Sequence, residues 1–367
     1  MALTAGIVGL PNVGKSTLFN AITKAGAEAA NYPFATIEPN VGRVEVPDAR
    51  LLRITELIKP KKTVPATFEF TDIAGIVKGA SKGEGLGNKF LANIREVDAI
   101  VHVVRAFDDE NITHVEGRVN PLEDIEMINL ELILADLEAI NKRYARVEKM
   151  VKAKDKDAVV EFAILQKIKP VLEAGQSART IAFTEEEAAV VKRLFLLTTK
   201  PVIYVANVAE ENVAEIDSID YVRQIREFAQ TKKTDVVVIS ARAEEEIAEI
   251  DEEGEKQEFL EALGLAESGL DQLTKAVYHL LGFGTYFTAG KKEVRAWTFR
   301  RGMKAPQTAG IIHSDFERGF IRAETISFED LDKYGSYQVA KENGRLRLEG
   351  KDYVVQDGDI MEFRFNV

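Results

Sequence analysis

No cysteine occurs anywhere in the chain, so disulfides, thiolate nucleophiles, cysteine zinc sites and thiol redox switching are excluded. Histidine is scarce, with four residues, and leaves room for few metal centres. No apolar run approaches the roughly 20 residues that span a bilayer, and the N-terminal Met-Ala-Leu-Thr lacks the basic stretch of a secretory signal. The expectation is a cytoplasmic protein without a membrane partner. Cations are outnumbered, 48 Lys and Arg against 60 Asp and Glu. The resulting net charge of -12 disfavours binding of polyanions over the whole surface, although a local basic patch could still grip RNA.

What is present is a globular composition, 46% hydrophobic and 29% charged, over 367 residues. At ~150 residues per domain this predicts two to three compact units. Residues 3 to 8 are a short apolar run that meets a Gly-rich turn, and Ser16 to Ile22 continues with helical spacing. Further strands are expected at Val64 to Phe70, Ala99 to Val104, Pro201 to Ala206 and Asp235 to Ile239. Several are apolar on both faces, as in a parallel sheet covered by helices on each side, so the first unit reads as α/β.

More chain than one crossover needs lies between the Ala99 and Pro201 strands. Within it, Leu130, Ile133, Leu137, Ile140, Tyr144, Val147 and Val151 recur at spacings of three and four, the seam of a helical hairpin or coiled coil. Lys152 to Asp157 reads as a polar break, with Val160, Ile164, Val171 and Leu172 returning as an antiparallel partner. After a last helix at Gly269 to Leu281 come short strand-like pieces at Glu293 to Phe299, Gly319 to Ala323, Tyr353 to Val355 and Asp359 to Phe365. One helix, Ser327 to Tyr334, is expected among them, giving a small α+β domain.

The strongest chemical signal is Gly9-Leu-Pro-Asn-Val-Gly-Lys-Ser16, which follows a strand and opens a helix. Its glycines let the backbone fold around phosphate oxygens, N–H groups and the helix start hold negative charge, and Lys15 reaches the terminal phosphates. Ser16 is expected to ligate magnesium. Asp72-Ile-Ala-Gly75 follows the Phe68/Phe70 strand, where nucleotide switches place an Asp near magnesium and a Gly N–H at the terminal phosphate. Gly79, Gly83, Gly85 and Gly87 follow, as in a mobile switch segment. Thr36 lies at a suitable distance to be another magnesium ligand, although by itself it reads as a turn residue.

Two departures from an ordinary GTPase stand out. After the fifth strand an Asn-Lys-x-Asp sequence would use its Asp to read the guanine edge, but here it is Asn207-Val-Ala-Glu210. Val208 removes the Lys stem that covers the base, and the extra methylene of Glu210 displaces its carboxylate, so guanine selectivity should suffer without adenine being selected outright. Ser240-Ala241-Arg242 fits the remaining base-side loop. Ile76, after the Asp72-x-x-Gly75 sequence, occupies the place of a glutamine that would orient attacking water. Another polar group or a cation must then assist, or hydrolysis is slow. His114 in a polar loop is the available side chain, whereas His102 in an apolar strand reads as core. Asn12 could help to hold a monovalent cation. Near the C-terminus Lys291, Lys292, Arg295, Trp297, Phe299, Arg300 and Arg301 interleave cations with aromatics. RNA contact fits that pattern, but strand alternation favours a core role for Trp297 and Phe299.

With the phosphate loop, Asp72-Ile-Ala-Gly75, Val77 to Asn88, Asn207-Val-Ala-Glu210 and Phe287 to Trp297 in place, the chain resembles the YchF family of Obg-like ATPases essentially end to end. The resemblance implies a Ras-like P-loop NTPase domain over 1–120 and 200–282, an inserted helical coiled-coil domain over 121–199 and a β-grasp (TGS) domain over 283–367. It implies ATP hydrolysis in preference to GTP, with Lys15, Gly75 and His114 in catalysis and magnesium on Ser16, Thr36 and Asp72. Asn12, Val13, Gly14, Lys15, Ser16 and Thr17 would hold the phosphates. Asn207, Val208, Glu210, Ser240 and Ala241 would line the base. Potassium stimulation through Asn12 and ribosomal partners, including rRNA, also follow, for a monomer without DNA specificity. An ordinary translational GTPase and a non-catalytic scaffold stabilised by nucleotide remain as competing readings.

Overall fold

A computed structural model describes residues 4–27, 41–73, 86–114 and 117–366. The chain forms two compact units, residues 1–43 with 69–273, and Val44–Phe68 with Thr274–Val367. The described residues contain strands β1 (Thr4–Val8), β2 (Val41–Glu45), β3 (Thr63–Val64), β4 (Thr67–Asp72), β5 (Ala99–Arg105), β6 (Val202–Asn207) and β7 (Val236–Ile239). They continue with β8 (Phe283–Ala289), β9 (Val294–Arg300), β10 (Phe320–Ser327), β11 (Arg347–Glu349) and β12 (Asp359–Phe365).

The first sheet has the order β2-β4-β1-β5-β6-β7, and β4, β1, β5, β6 and β7 run parallel. Every residue of β5 and β6 is buried, which is why both read as unbroken apolar runs. His102 lies in β5 as a core residue, as expected, beside the Tyr204 ring.

The insertion opens on a 32-residue helix, Pro121–Lys152, about 48 Å long at 1.5 Å per residue. The Asn120 side chain accepts from the Glu123 amide, and Pro121 occupies the first turn, where a missing N–H costs nothing. The chain reverses through Ala153 and Lys154, and Asp155 caps the return helix Lys156–Glu173 by accepting from the Asp157 and Ala158 amides. The seam is formed by Ile133, Ile140 and Val147 against Ala158, Ile164, Leu165, Ile168 and Leu172, with Leu137, Tyr144 and Val151 packed beside them. Three expected members lie outside it, one of them Val171, which is only half-buried. Leu130 is half exposed because the 18-residue return helix is too short to reach it, and Val160, also exposed, sits at the edge of the buried stripe.

The end of the insertion is fixed to its start by Asp136, a buried carboxylate that accepts from the Leu197 amide (2.9 Å), the Thr198 amide (2.8 Å) and the Thr198 hydroxyl (2.7 Å). Asp136→Ala orphans two buried amides, so unfolding free energy by urea titration should fall by about 2–4 kcal/mol.

The second unit is built on a mixed sheet of order β11-β10-β12-β8-β9-β3. β8 with β9 and β10 with β12 are antiparallel, and β12 lies parallel to β8. Its core gathers Tyr286, Phe299, Phe320, Met361 and Phe363, with Trp297 packed against them. Phe299 is core, as favoured, whereas Trp297 is half-buried at the edge of that cluster, with the Arg295 guanidinium 4.2 Å from its ring centre.

Three expectations differ from this architecture. The strand expected over Val64 to Phe70 is divided, because Thr63-Val64 pairs in parallel with Val294-Arg295 while Thr67–Asp72 joins the first sheet. Residues 44–68 and 274–282, expected with the nucleotide domain, thus belong to the second unit. Arg50 bonds Asp357 at 3.0 Å, Arg53 bonds Asp332 at 2.6 Å, and the Tyr278 hydroxyl donates to the Gly284 carbonyl. Tyr353 to Val355 forms no strand, only an isolated bridge between Val354 and Lys304.

Candidate functional site

The phosphate loop leaves the carboxyl end of β1 between β4 and β5, the position at which open parallel sheets place a ligand crevice. Asn12 adopts φ +61°, a left-handed conformation that asparagine tolerates, and Gly14 adopts φ +97°. A Cβ on Gly14 would lie 2.2 Å from Asn207 Nδ2, so this glycine is required twice over. The Leu18 amide makes the first ladder bond of helix Lys15–Ala27, to the Gly14 carbonyl. The amides of Lys15, Ser16 and Thr17 precede it and, with the helix dipole, form an anion cradle.

Lys15 is buried, and its ammonium donates to the Leu10 carbonyl at 2.6 Å. Burial pushes its pKa down to about 8, against the opposing attraction of Asp72. Burial in turn raises the Asp72 carboxyl, opposed by Lys15. The exposed Ser16 hydroxyl and the Asp72 carboxylate are hard oxygen donors of the kind that hold magnesium together with substrate phosphates. Thr36, Gly75 and Ile76 lie outside the described residues, as does the glycine run from Gly79 to Gly85.

Asn207, expected to line the base, joins two loops. Its buried carboxamide donates to the Val13 carbonyl at 2.9 Å and accepts from the Ala241 amide at 2.9 Å, joining the phosphate loop to the loop after β7. Val208 points inward and is buried, with its amide bonded to the Ile239 carbonyl. Ser240 caps the next helix, Ala241–Ile247, by accepting from the Ala243 amide. Glu210 Oε2 meets Arg242 Nε at 3.2 Å, a pairing that sequence spacing did not reveal.

The loop after β5 meets the phosphate loop at Asn12. Arg105 is buried and donates to the carbonyls of Phe107, Asp109 and Ile112. Asn12 Nδ2 donates to the Thr113 carbonyl at 3.0 Å, and His114 Nε2 lies 3.0 Å from Asp124 Oδ2. Asp124 and Arg105 were missed by sequence reasoning. An acid in the first turn of a helix is already explained by the helix dipole, and an Arg ending a strand carries no spacing signal.

Glu244, also unforeseen, is buried and accepts from the amides of Gly269 and Leu270 at 2.7 and 3.0 Å. Burial raises its pKa from 4.5 to about 7, outweighing the two amides. Between these values the folded chain keeps a proton that the unfolded chain has released, so this group's contribution to stability is present below pH 4.5 and lost as pH rises through 7. The shift corresponds to about 3 kcal/mol. Urea titrations from pH 4.5 to 7.5 should show the wild type losing stability relative to Glu244→Gln across this window.

The sequence is 68% identical to the ribosome-binding ATPase YchF of Bacillus subtilis (strain 168) over 367 residues, covering all of both chains. The chain belongs to the YchF family. The ribosome-binding ATPase YchF of Escherichia coli O157:H7 is 56% identical, again over the full length of both. The solved structure of the Schizosaccharomyces pombe YchF GTPase matches with a TM-score of 0.88 and 40% identity, covering 99% of this chain and 97% of that one. Residues 4–160 match the MMR_HSR1 family, described as 50S ribosome-binding GTPase, and residues 283–366 match YchF-GTPase_C, described as a protein of unknown function (DUF933). The YchF assignment thus places a P-loop nucleoside triphosphatase on a Ras-like fold with a helical region and a C-terminal domain.

Proposed function

We propose that this chain hydrolyses ATP in preference to GTP, with magnesium, and couples its nucleotide state to binding of the ribosome or a ribosomal subunit in the cytoplasm. The observation that argues against guanine selectivity is the segment fixed by Asn207, and the preference for ATP follows from the family resemblance. Val208 is turned into the core where a lysine stem would cover guanine, and one Glu210 oxygen, Oε2, lies 3.2 Å from the Nε of Arg242, a cation it shares with Glu246. The names of the bacterial relatives support an ATPase that binds ribosomes, whereas the fission yeast relative is named a GTPase. Among the described residues no helix is long and apolar enough to cross a membrane.

In the reaction, water oxygen bonds to the γ-phosphorus as the bond to the β–γ bridging oxygen breaks, giving ADP and phosphate, with the water proton passing to phosphate or solvent. The Lys15 ammonium and the loop amides oppose the charge on the phosphates. Ser16, Asp72 and Thr36 would hold magnesium, which supplies charge neutralisation. His114 is assigned the help that a glutamine would give, and Asn12 a potassium ion. Residues 121–199 are read as an inserted coiled-coil domain and 283–367 as a TGS domain, the surfaces offered to ribosomal RNA by a monomer.

Calorimetric titration of nucleotide-free protein with non-hydrolysable ATP and GTP analogues, in magnesium and potassium, tests the preference. Tighter GTP binding would leave an ordinary translational GTPase. Multiple-turnover phosphate release that disappears in Lys15→Ala would exclude a passive scaffold, and equal turnover in sodium and potassium would remove the role of Asn12.

A further inference from the structure

Two adjacent residues at the end of the loop that leaves β5 are held from different sides. The Thr113 carbonyl accepts from Asn12 of the phosphate loop, and the next residue, His114, meets Asp124 in the first turn of helix Pro121–Lys152. His114 is 7% exposed and Asp124 2%, so water competes little for the contact. The preceding segment is clamped by Arg105, 1% exposed, through three carbonyls, and its guanidinium lies 4.7 Å from the Phe107 ring centre. The loop is therefore tied at adjacent residues to two partners, the phosphate loop through Thr113 and the helical insertion through His114.

We propose that Asp124 is a positioning residue for hydrolysis, holding the His114 imidazole in one orientation and one tautomer beside the phosphate loop. This rests on the reading of His114 as an assisting group. A carboxylate facing Nε2 requires the proton on that nitrogen, and the bond stops rotation of the ring about its side-chain torsions. Burial raises the Asp124 carboxyl, and the His114 bond opposes that shift, so the pair is electrostatically coupled as well as close. Because Asp124 belongs to the insertion, a displacement of that helix is transmitted to the ring.

The test is steady-state ATP hydrolysis by the full chain and its Asp124→Ala, Asp124→Asn, His114→Ala and double Asp124→Ala/His114→Ala variants. Asp124→Ala should lower kcat by about 10- to 100-fold with KM within about two-fold of wild type. Asp124→Asn, which keeps an oxygen acceptor of the same size, should restore much of the loss and shows that the site folds. The double variant should be no slower than His114→Ala, because two residues that act as one unit do not add. Additive losses with a raised KM would make Asp124 a structural residue only and overturn the proposal, as would wild-type kcat in Asp124→Ala. Wild-type turnover in His114→Ala would remove the reading of His114 itself, leaving Asp124 nothing to position.

Discussion

Replacing Gly14 with alanine should abolish measurable nucleotide binding, a loss of about two to four powers of ten. The residue sits at φ +97°, where a non-glycine residue costs about 1–3 kcal/mol. Its new Cβ would also lie 2.2 Å from Asn207 Nδ2. Asn207 must then retreat and give up its bond to the Val13 carbonyl, at about a further 1–3 kcal/mol. At 1.4 kcal/mol per factor of ten, the combined cost accounts for the expected range. Gly175→Ala supplies the control, since Gly175 has φ +70° but nothing within 4 Å of an added Cβ. It should lose about 1–2 kcal/mol of stability, the cost of the left-handed backbone alone, and bind nucleotide like the wild type. Calorimetry with an ATP analogue reads both, and tight binding by Gly14→Ala would show that the Gly14 to Asn207 approach is not as described.

Asn207→Ala carries the second large effect. The substitution leaves the Val13 carbonyl and the Ala241 amide without their side-chain partner in a buried place, at about 2–5 kcal/mol together. The phosphate loop and the base loop lose their shared support, so ATP and GTP analogues should both weaken by about 10²- to 10³-fold. The isosteric Asn207→Asp is the sharper probe. It keeps an acceptor for Ala241 but turns a carboxylate oxygen on the Val13 carbonyl, so it should be no better than alanine. An aspartate variant that binds like wild type would mean that the bridge is absent. Loss confined to one nucleotide would assign Asn207 to reading the base and not to holding the two loops together.

The parts of this protein that were legible in the sequence share a property. The phosphate loop is eight contiguous residues whose order is dictated by the phosphate it must wrap, and its flanking strand and helix obey local periodicity. The hairpin seam was legible because Ile133, Ile140 and Val147 repeat every seven residues on one face. Leu130 was assigned to that seam wrongly because periodicity does not say how far a partner helix reaches.

The parts that were not legible depend on residues far apart in the chain. Thr63-Val64 looks like the start of its neighbouring strand, yet it pairs with Val294-Arg295 and takes residues 44–68 into the C-terminal unit. Glu210 reads as a displaced base reader, and only folding brings Arg242 to it. His114 reads as a loop histidine until helix Pro121–Lys152 delivers Asp124 to its ring.

By itself the sequence determined the chemistry of the phosphate site, the α/β class of the first unit, the helical insertion and the absence of thiol chemistry, because each depends on residue type and short-range spacing. The tertiary structure alone decided which unit claims residues 44–68, that Asn207 joins two loops, and that His114 is tied to the insertion. Hydrogen bonds between buried groups are selected by the packing that brings distant segments within 3 Å, and local sequence does not encode that encounter.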